Sequence, residues 1–349
     1  MQIPKRQKCA HAWYGPELNN DPTAWIIELG DAEIDEIEVA TARIGRRGIP
    51  IVDITRENFL LPQLGKKLEA LSEQLVKGIG FALLRRIPVE RYDIEVAANM
   101  FYGIGAHLGS ARMQNAMGHV LGHVRDLDMR SDAPDVRIYQ TNERQTFHTD
   151  SSDVVGLLCL KKAKQGGESL LVSAVTIYNE MLESRPDLTK LLFDPVATDR
   201  RGEIPEGSQP FFSIPVLSWE HGYLTVMYQR QYIDSAQRFE SAMRLTPEHV
   251  EALDLFDELA NDPGLNLSMQ LEPGDLQFVY NHALLHDRTG FEDWPQIEDR
   301  RHLLRLWLSV PNDRPLPKVF DERFGSIEPG NRGGIAMPGV EPCAPLEAI

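Results

Sequence analysis

A histidine and an aspartate stand two positions apart in FHTDSSDVVG, residues 147–156. The run has the composition of a β-strand, and residues two apart on a strand point to the same face. His148 and Asp150 are therefore predicted to present an imidazole and a carboxylate side by side, a pair that suits iron(II). For so short a motif, a surface histidine hydrogen-bonded beside an aspartate is the ordinary alternative.

A second stretch, YNHALLHDRTGFED (280–293), contains two further histidines, His282 and His286. Either of them can supply the second imidazole of a 2-His-1-carboxylate triad. Such a triad leaves positions open on iron for a co-substrate and for dioxygen. The residues alone do not decide which histidine takes this role.

A third stretch, RRHLLRLWLSV (300–310), would place two guanidiniums on one face of a strand. The odd-numbered residues of that face are Arg301, Leu303, Arg305 and Trp307, whereas the even-numbered residues form a face suited to a core. A buried guanidinium needs an anion, because burying an unpaired charge is costly. That anion is either an internal Asp or Glu or the distal carboxylate of a small acid, held bidentately.

The elements that must position these residues follow from the pattern of apolar residues. Helical spacing predicts helices near residues 31–43, 61–80, 93–109, 175–192 and 246–261. Strand-like runs occur at 48–55, 81–89, 135–141, 154–163, 169–178, 212–228, 267–280 and 302–310. Many short strands separated by turns indicate a barrel or a jelly roll.

We therefore predict an α+β, mainly β fold, with flanking and inserted helices around a jelly-roll core. The predicted organisation is an N-terminal arm (1–47), a jelly-roll domain with helical insertions (48–315) and an irregular tail rich in Pro and Gly (316–349).

Charge and composition argue against several classes of protein. The net charge of -16 argues against a nucleic-acid partner, because binding phosphates needs a basic face. No run of about 18 apolar residues is present, so we expect no membrane span. The N-terminus lacks the apolar stretch of a secretory signal. Three scattered cysteines fit a reducing cytoplasm better than a disulfide framework.

Taken in order, the three stretches resemble a known family. The succession of H-x-D, a GGES turn, NH…LLH-x-RT-x-F and RRHLLR-x-WL is similar to the taurine dioxygenase/TfdA-like oxygenases, over roughly residues 75–315. The resemblance implies a double-stranded β-helix (jelly-roll) fold. It also implies dependence on Fe(II), on 2-oxoglutarate as co-substrate and on O2.

The resemblance assigns roles to individual residues. His148, Asp150 and His286 match the family's iron ligands, and His286 is preferred to His282 because the distal histidine stands in LLH just before the x-RT turn. Arg301 matches the arginine that binds the C5 carboxylate of 2-oxoglutarate.

Three further positions match the family less closely. Ser169 stands where the family usually has a threonine that contacts the co-substrate, and it keeps the hydroxyl. Arg305 matches a second arginine near the co-substrate or substrate. Asp287 stands where many relatives carry glycine, and the sequence offers no account of this difference.

The family's chemistry implies hydroxylation of an unactivated C–H bond, with release of succinate and CO2. The expected substrate is a small metabolite bearing a carboxylate or an amine; desaturation or ring closure of an amino-acid-like substrate is the alternative outcome. The carboxylate of Asp150 argues against halogenation, since related halogenases lack it. Relatives often assemble as dimers or tetramers, which leaves a homo-oligomer open.

Residues near the metal-bearing stretch are candidates for contacting the substrate. They are Tyr139, Thr141, Asn142, Gln145, Gln114, Asn115 and Arg305. Ordinary strand or loop polarity is the competing explanation for each one, apart from Arg305, which would favour an acidic group.

Two other function classes compete with an oxygenase. A zinc hydrolase would use the same ligands, but it needs no arginine clamp for an anion. A catalytically silent barrel would keep the fold only, and the intact set of His148, Asp150, His286 and Arg301 argues against it.

Overall fold

A computed structural model describes residues 3–129, 137–335 and 337–348. Within these ranges the α-helices are α1 (Gly15–Asn20), α2 (Asp31–Arg47), α3 (Leu64–Lys77), α4 (Ile94–Ala106), α5 (Ala174–Ser184), α6 (Pro186–Leu191), α7 (Arg230–Ala236), α8 (Pro247–Asn261) and α9 (Asp321–Phe324). The first strands are β1 (Ile26–Glu28), β2 (Phe81–Arg85), β3 (Ser110–Arg112), β4 (Leu121–Val124), β5 (Gln145–His148), β6 (Val154–Lys161), β7 (Gln165–Gly166), β8 (Ser169–Ser173) and β9 (Pro195–Asp199). The remaining strands are β10 (Phe211–Pro215), β11 (Leu217–Glu220), β12 (Tyr223–Val226), β13 (Leu267–Met269), β14 (Leu276–Tyr280), β15 (Leu284–Arg288), β16 (Phe291–Glu292) and β17 (His302–Ser309).

Two sheets carry the architecture. The larger has the strand order β1-β2-β14-β6-β17-β3, and β4 also pairs with β17. The smaller has the order β13-β8-β15-β5, with every pairing antiparallel. One hydrophobic cluster contains Leu83 and Val155 of the large sheet together with Leu171 and Leu284 of the small one. The two sheets therefore pack face to face, and the fold is a mixed α/β structure.

Strand β17 confirms the predicted division of its side chains. Leu304, Leu306 and Leu308 pack into the cluster formed with helices α2, α3 and α4. Leu303 and Trp307 belong instead to the cluster between the two sheets. Alternation along a strand sends successive side chains to opposite faces, so Arg305 is directed toward the space between the sheets.

Helices cover the outer face of each sheet. Helices α2, α3 and α4 cover the large sheet, and their predicted positions are confirmed. Helices α5 and α8 pack on the small sheet, which buries Ile177 and Phe256 with Val172 of β8 and Leu285 of β15. The predicted helix at 175–192 is two helices, because the chain bends at Arg185 immediately before Pro186.

The N-terminal segment packs against the rest of the protein. Trp13 and Trp25 are buried between the sheets, and β1 pairs in parallel with β2. The carbonyl of His11 accepts a hydrogen bond from the Ser173 hydroxyl, 2.5 Å away. These contacts make the segment part of the core rather than a free arm.

Two strand predictions were wrong in the described residues, and a third was correct only in its first half. Ile51–Asp53, within the predicted strand 48–55, form a 3-10 helix that follows Pro50. Ile138–Gln140 form another, whereas residues 135 and 136 of that predicted strand lie outside the described residues. The run 169–178 leaves the sheet at Ser173, whose hydroxyl accepts the Thr176 N–H and starts helix α5.

Across the described ranges, no helix combines the length and the apolar character that crossing a bilayer requires.

Candidate active site

The two imidazoles of the proposed site come from neighbouring strands. His148 is the last residue of β5 and His286 lies in β15, and the two are register partners in the antiparallel pair. Side chains of directly opposite residues lie on the same side of a sheet. The ring centroids are accordingly 4.1 Å apart.

Asp150 completes a cluster of three ligand groups. Its Oδ1 lies 3.9 Å from Nε2 of His148, and its Oδ2 lies 3.7 Å from Nε2 of His286. One ligand atom from each residue lies within 4.8 Å of the others, and all three residues are buried. Two imidazoles and one carboxylate at this spacing are the donor set that non-haem iron(II) prefers.

The route by which Asp150 reaches this place differs from the prediction. Strand β5 ends at His148 and β6 begins only at Val154, so the two ligands do not share a strand face. Asp150 stands in the connecting turn, where its backbone N–H donates to Oδ1 of Asn281 at 3.0 Å. The preceding Thr149 N–H donates to the carbonyl of Tyr228 at 2.8 Å. These bonds fix the turn.

Hydrogen bonds orient the ligands toward a common point. Nδ1 of His148 lies 2.8 Å from the carbonyl of Thr146, which fixes the tautomer with the lone pair on Nε2, the nitrogen that the Gln145 amide approaches. The indole Nε1 of Trp307 donates to Oδ2 of Asp150 at 2.8 Å. Among the described residues, Nδ1 of His286 has no hydrogen-bond partner.

Electrostatics keep the three groups in the protonation states that a metal requires. Burial lowers the pKa of His148, and burial together with His148 lowers the pKa of His286 to about 3. Burial opposes ionisation of Asp150, but Arg305 and the two histidines hold its pKa below the usual value. At neutral pH the site therefore presents two neutral imidazoles and a carboxylate, and this set fits Fe(II).

His282 belongs to a different cluster. Its Nε2 lies 2.8 Å from Oδ1 of Asp153 and 3.9 Å from Oδ2 of Asp313. The buried guanidinium of Arg332 pairs with both carboxylates at 2.7 Å. Because this guanidinium already supplies the positive charge, the cluster is a structural network rather than a second metal centre.

Arg301 lies beside the metal ligands with part of its charge unpaired. It precedes β17 and lines a cavity with Ser169, His148 and His286. Among the described residues, its buried Nη1 has no hydrogen-bond partner. Burial lowers its pKa to about 10, so it remains a cation at neutral pH. The residues present thus fit an anion such as the carboxylate of a bound keto acid.

Two neighbours shape the space around Arg301. The backbone of Gly167 has a φ of 76°, and a Cβ there would lie 2.9 Å from Nε of Arg301, so glycine permits the close approach. Ser169 lines the cavity, and its hydroxyl donates to Oε1 of Gln277 at 3.0 Å.

Arg288 is a second buried guanidinium in this cavity that the sequence reasoning missed. It stacks on Phe291 from 4.7 Å, and Arg301 stacks on the same ring from 5.3 Å. Its Nη1 donates to the carbonyl of Thr141 at 3.0 Å. Burial and the charge of Arg301 lower its pKa to about 9. Its position two residues after His286 on one strand was the available signal.

Arg305 is held at the boundary between this cavity and a second, larger one. Its Nε donates to Oε1 of Gln114 at 2.7 Å. The guanidinium lies 4.6 Å from the ring centre of Tyr139 and 5.2 Å from that of Trp307. Its Nη1 is 4.0 Å from Oδ1 of Asp150. Arg305 therefore reaches the metal site itself.

The remaining candidate substrate residues divide into two groups. Tyr139, Gln114 and Gln145 line the second cavity, and the Gln145 amide lies 2.9 Å from Nε2 of His148. Thr141, Asn142 and Asn115 do not line either cavity. Thr141 bonds to the Ile138 carbonyl, Asn142 accepts the Phe291 N–H, and Asn115 bonds within its own turn.

Asp287, which stands where many relatives carry glycine, forms an ion pair in the structure. Its buried carboxylate accepts hydrogen bonds from Arg144, with Nε 3.0 Å from Oδ2. Arg144 precedes β5 and Asp287 lies in β15, so the ion pair joins the two strands that carry the histidines. A relative with glycine at this position would lack such a pair.

A group of arginines missed by the sequence reasoning lines the second cavity. Arg137, Arg200 and Arg323, called here the arginine cluster, line it together with His148 and Asp150. These three residues come from separate segments of the chain, so no local sequence pattern predicts that they lie together.

Comparisons with known proteins identify the family to which the chain belongs. The family described as "Taurine catabolism dioxygenase TauD, TfdA family" matches residues 47–307. The chain belongs to the TauD/TfdA family. It is 36% identical over 312 residues to FR-33289 synthase of Streptomyces rubellomurinus, covering 87% of this chain and 91% of that protein. It is 32% identical to the taurine hydroxylase-like protein SAT17 of Stachybotrys chartarum, covering 84% of this chain and 77% of that protein.

A solved structure supports the fold assignment. Asparagine oxygenase, in complex with Fe(II), hydroxyasparagine and succinate, superposes with a TM-score of 0.64 at 17% identity, over 81% of this chain and 93% of that one. As a member of the TauD/TfdA family, the protein is a 2-oxoglutarate-dependent dioxygenase that uses Fe(II), 2-oxoglutarate and O2.

Proposed function

We propose that this TauD/TfdA dioxygenase hydroxylates an unactivated C–H bond of a small, acidic metabolite, with release of succinate and CO2. The observation that carries the proposal is the convergence of His148, Asp150 and His286 between two cavities, one of which is lined by Arg301. One cavity suits the co-substrate and the other suits the molecule to be oxidised. We also propose that the two facing sheets form the family's jelly-roll core.

Each residue has a defined task in this proposal. His148, Asp150 and His286 would hold the iron, which when loaded with 2-oxoglutarate and O2 supplies the oxidising chemistry. Arg301 would bind the distal carboxylate of 2-oxoglutarate, and Ser169 would contact the same group. Burial excludes water from this cavity, which strengthens the attraction between guanidinium and carboxylate.

Arg305 orients both the metal ligand and the substrate. It holds Asp150 ionised, and its stacking between Tyr139 and Trp307 fixes its direction. The positive charge of Arg305 favours a substrate that bears an acidic group over one that bears an amine. Desaturation or ring closure of an amino-acid-like substrate uses the same cofactors and remains the alternative outcome, since it depends on how the substrate is held.

Anaerobic ultraviolet–visible titration tests the proposed ligand set. The apo protein is titrated with Fe(II) and then with 2-oxoglutarate, whose chelation to iron gives a weak visible charge-transfer band. We expect the band in the wild type and in His282→Gln, and its loss in folded His286→Ala. A band retained by His286→Ala and lost in folded His282→Gln would show that the distal ligand is His282. Absence of the band from all folded proteins would contradict the proposed site.

A further inference from the structure

The arginine cluster (Arg137, Arg200 and Arg323) carries more positive charge than its protein neighbours balance. Nη2 of Arg137 lies 2.8 Å from Oε2 of Glu203. Arg200 is 3.7 Å from the half-exposed Glu322. In the described part of the chain, no carboxylate lies within ion-pair distance of Arg323.

Asp199, another acidic residue on the wall of this cavity, is engaged elsewhere. Its Oδ2 accepts a hydrogen bond from the Ser235 hydroxyl at 2.6 Å and pairs with Arg238. Its Oδ1 accepts the backbone N–H of Arg201 at 2.8 Å. The charge of Asp199 is therefore balanced by groups on helix α7 and the adjoining residues. Glu203 remains the main internal carboxylate that can balance the arginine cluster.

The guanidiniums of the cluster are held in place. Arg200 and Arg323 each lie 5.4 Å from the ring centre of Phe212. The side chain of Arg200 is 3% exposed, and its buried Nε has no hydrogen-bond partner among the described residues. Burial lowers the pKa of Arg323 to about 10; the charge of Glu203 opposes this shift, whereas the charges of Arg200 and Arg137 add to it. Fixed, buried cations whose charge is only partly balanced are costly unless a further anion joins them.

The cluster lines one continuous cavity with His148 and Asp150, two of the three proposed iron ligands. Nε of Arg323 donates to the hydroxyl of Ser151 at 2.8 Å, and Ser151 is the residue directly after Asp150. The same cavity is also lined by the apolar side chains of Phe212, Met227 and Ile335. A short carbon chain can therefore lie between the metal site and the arginines.

We propose that the arginine cluster binds a doubly charged tetrahedral oxyanion, such as a phosphonate or a phosphate monoester, at the end of the substrate remote from the oxidised carbon. This proposal rests on the proposed function for the identity of the reacting end. Three guanidiniums stand against the buried Glu203 and the half-exposed Glu322, whose charge is screened by solvent, so more than one positive charge is left to balance. A planar carboxylate is satisfied by one guanidinium fork, whereas a tetrahedral group accepts hydrogen bonds from several directions.

Calorimetric titration of the anaerobic Fe(II)- and 2-oxoglutarate-loaded enzyme tests this assignment. The probes are propylphosphonate, propyl phosphate, propanesulfonate and butyrate, at a pH where the first two are dianions. We expect the two dianions to bind at least tenfold more tightly than the sulfonate and the carboxylate. Comparing propylphosphonate with propyl phosphate distinguishes the two sources of the same chemistry. Equal or tighter binding of butyrate or propanesulfonate would overturn the proposal.

Variants locate the binding. Arg200→Gln and Arg323→Gln should each weaken propylphosphonate binding at least tenfold, whereas Arg185→Gln, at an exposed ion pair, should leave it unchanged. If the buried Arg200→Gln variant does not fold, Arg323→Lys provides a second test, because it removes the guanidinium and keeps the positive charge. Unchanged affinity in folded Arg323→Gln would contradict the role of the cluster.

The charge-transfer band separates this proposal from the one on which it rests. A normal band with no preference for dianions overturns the oxyanion site alone. Tight propylphosphonate binding by a protein that forms no band keeps the oxyanion site and overturns the proposed iron site.

Discussion

Trp307 donates its indole N–H to Oδ2 of Asp150 at 2.8 Å, so a residue of the large sheet holds the proposed metal ligand in the turn between β5 and β6. Partners of this kind orient metal ligands, and their loss typically costs about 10–100-fold in metal affinity. We expect Trp307→Phe to weaken Fe(II) binding by about tenfold while the protein stays folded. Anaerobic titration with Fe(II) measures this change, with Trp294→Phe, at an exposed tryptophan, as the matched control. Equal affinities for the two variants would mean that the turn alone positions Asp150.

Arg301 and Arg288 offer two guanidiniums to one cavity, and the variants distinguish their roles. We expect Arg301→Gln to raise the apparent KM for 2-oxoglutarate by about 100-fold, as expected when a buried charged partner is lost. Arg301→Lys should also be impaired, because an ammonium cannot form the bidentate fork. Arg288→Gln should have a smaller effect, since Arg288 already donates to backbone carbonyls. Steady-state succinate release measures both, and a larger effect at Arg288 would reverse the assignment.

The buried network around Arg332 should be essential for stability. Removing this guanidinium leaves Asp153 and Asp313 buried without their cation, an imbalance that costs about 3–5 kcal/mol. We therefore expect Arg332→Met to lower the free energy of unfolding by that amount in urea denaturation. Arg185→Met, which removes an exposed ion pair, should cost at most about 1 kcal/mol. Similar losses in the two variants would show that the network is not strongly coupled to folding.

His302 should make the protein sensitive to mild acid. Burial, and then the neighbouring His123, lower its pKa to about 3 in the folded protein, whereas the unfolded chain titrates near 6.5. Between these values the unfolded state binds more protons, so stability is full above about pH 6.5 and falls as the pH decreases. From pH 6.5 to 5 this one group should cost about 2 kcal/mol.

Urea unfolding at pH 7 and pH 5 measures this effect. His302→Gln should lose less stability over the interval than the wild type, by about the same 2 kcal/mol. His221→Gln, at an exposed histidine, should behave like the wild type. An identical pH dependence in all three proteins would exclude His302 as the responsible group.

The sequence predicts an element correctly where a local pattern of residues determines its structure. The two faces of β17 follow from strict alternation, and helix α8 follows from apolar spacing after the Thr246 cap. Prediction from the sequence failed where distant contacts override local propensity. Residues 48–55 have the composition of a short strand, yet Ile51–Asp53 form a 3-10 helix against α4 and its neighbours.

In the candidate site, too, residues in a local pattern were predicted, whereas residues that only tertiary folding brings together were missed. His148 and Asp150 were named from their spacing, but a turn rather than a strand face brings the carboxylate to the imidazole. The arginine cluster was missed because tertiary folding assembles it from separate segments. Arg200 and Arg323 share one aromatic ring without sharing any sequence pattern.

The pairing of β5 with β15 also determines when, during folding, the two imidazoles come together. His148 and His286 are far apart along the chain, and their imidazoles meet only when these strands reach register. Contacts between distant segments form late, since the loop between them must first be closed. Iron held by both imidazoles would therefore bind only after β5 and β15 have paired, and by binding only the paired strands it would stabilise them against separation.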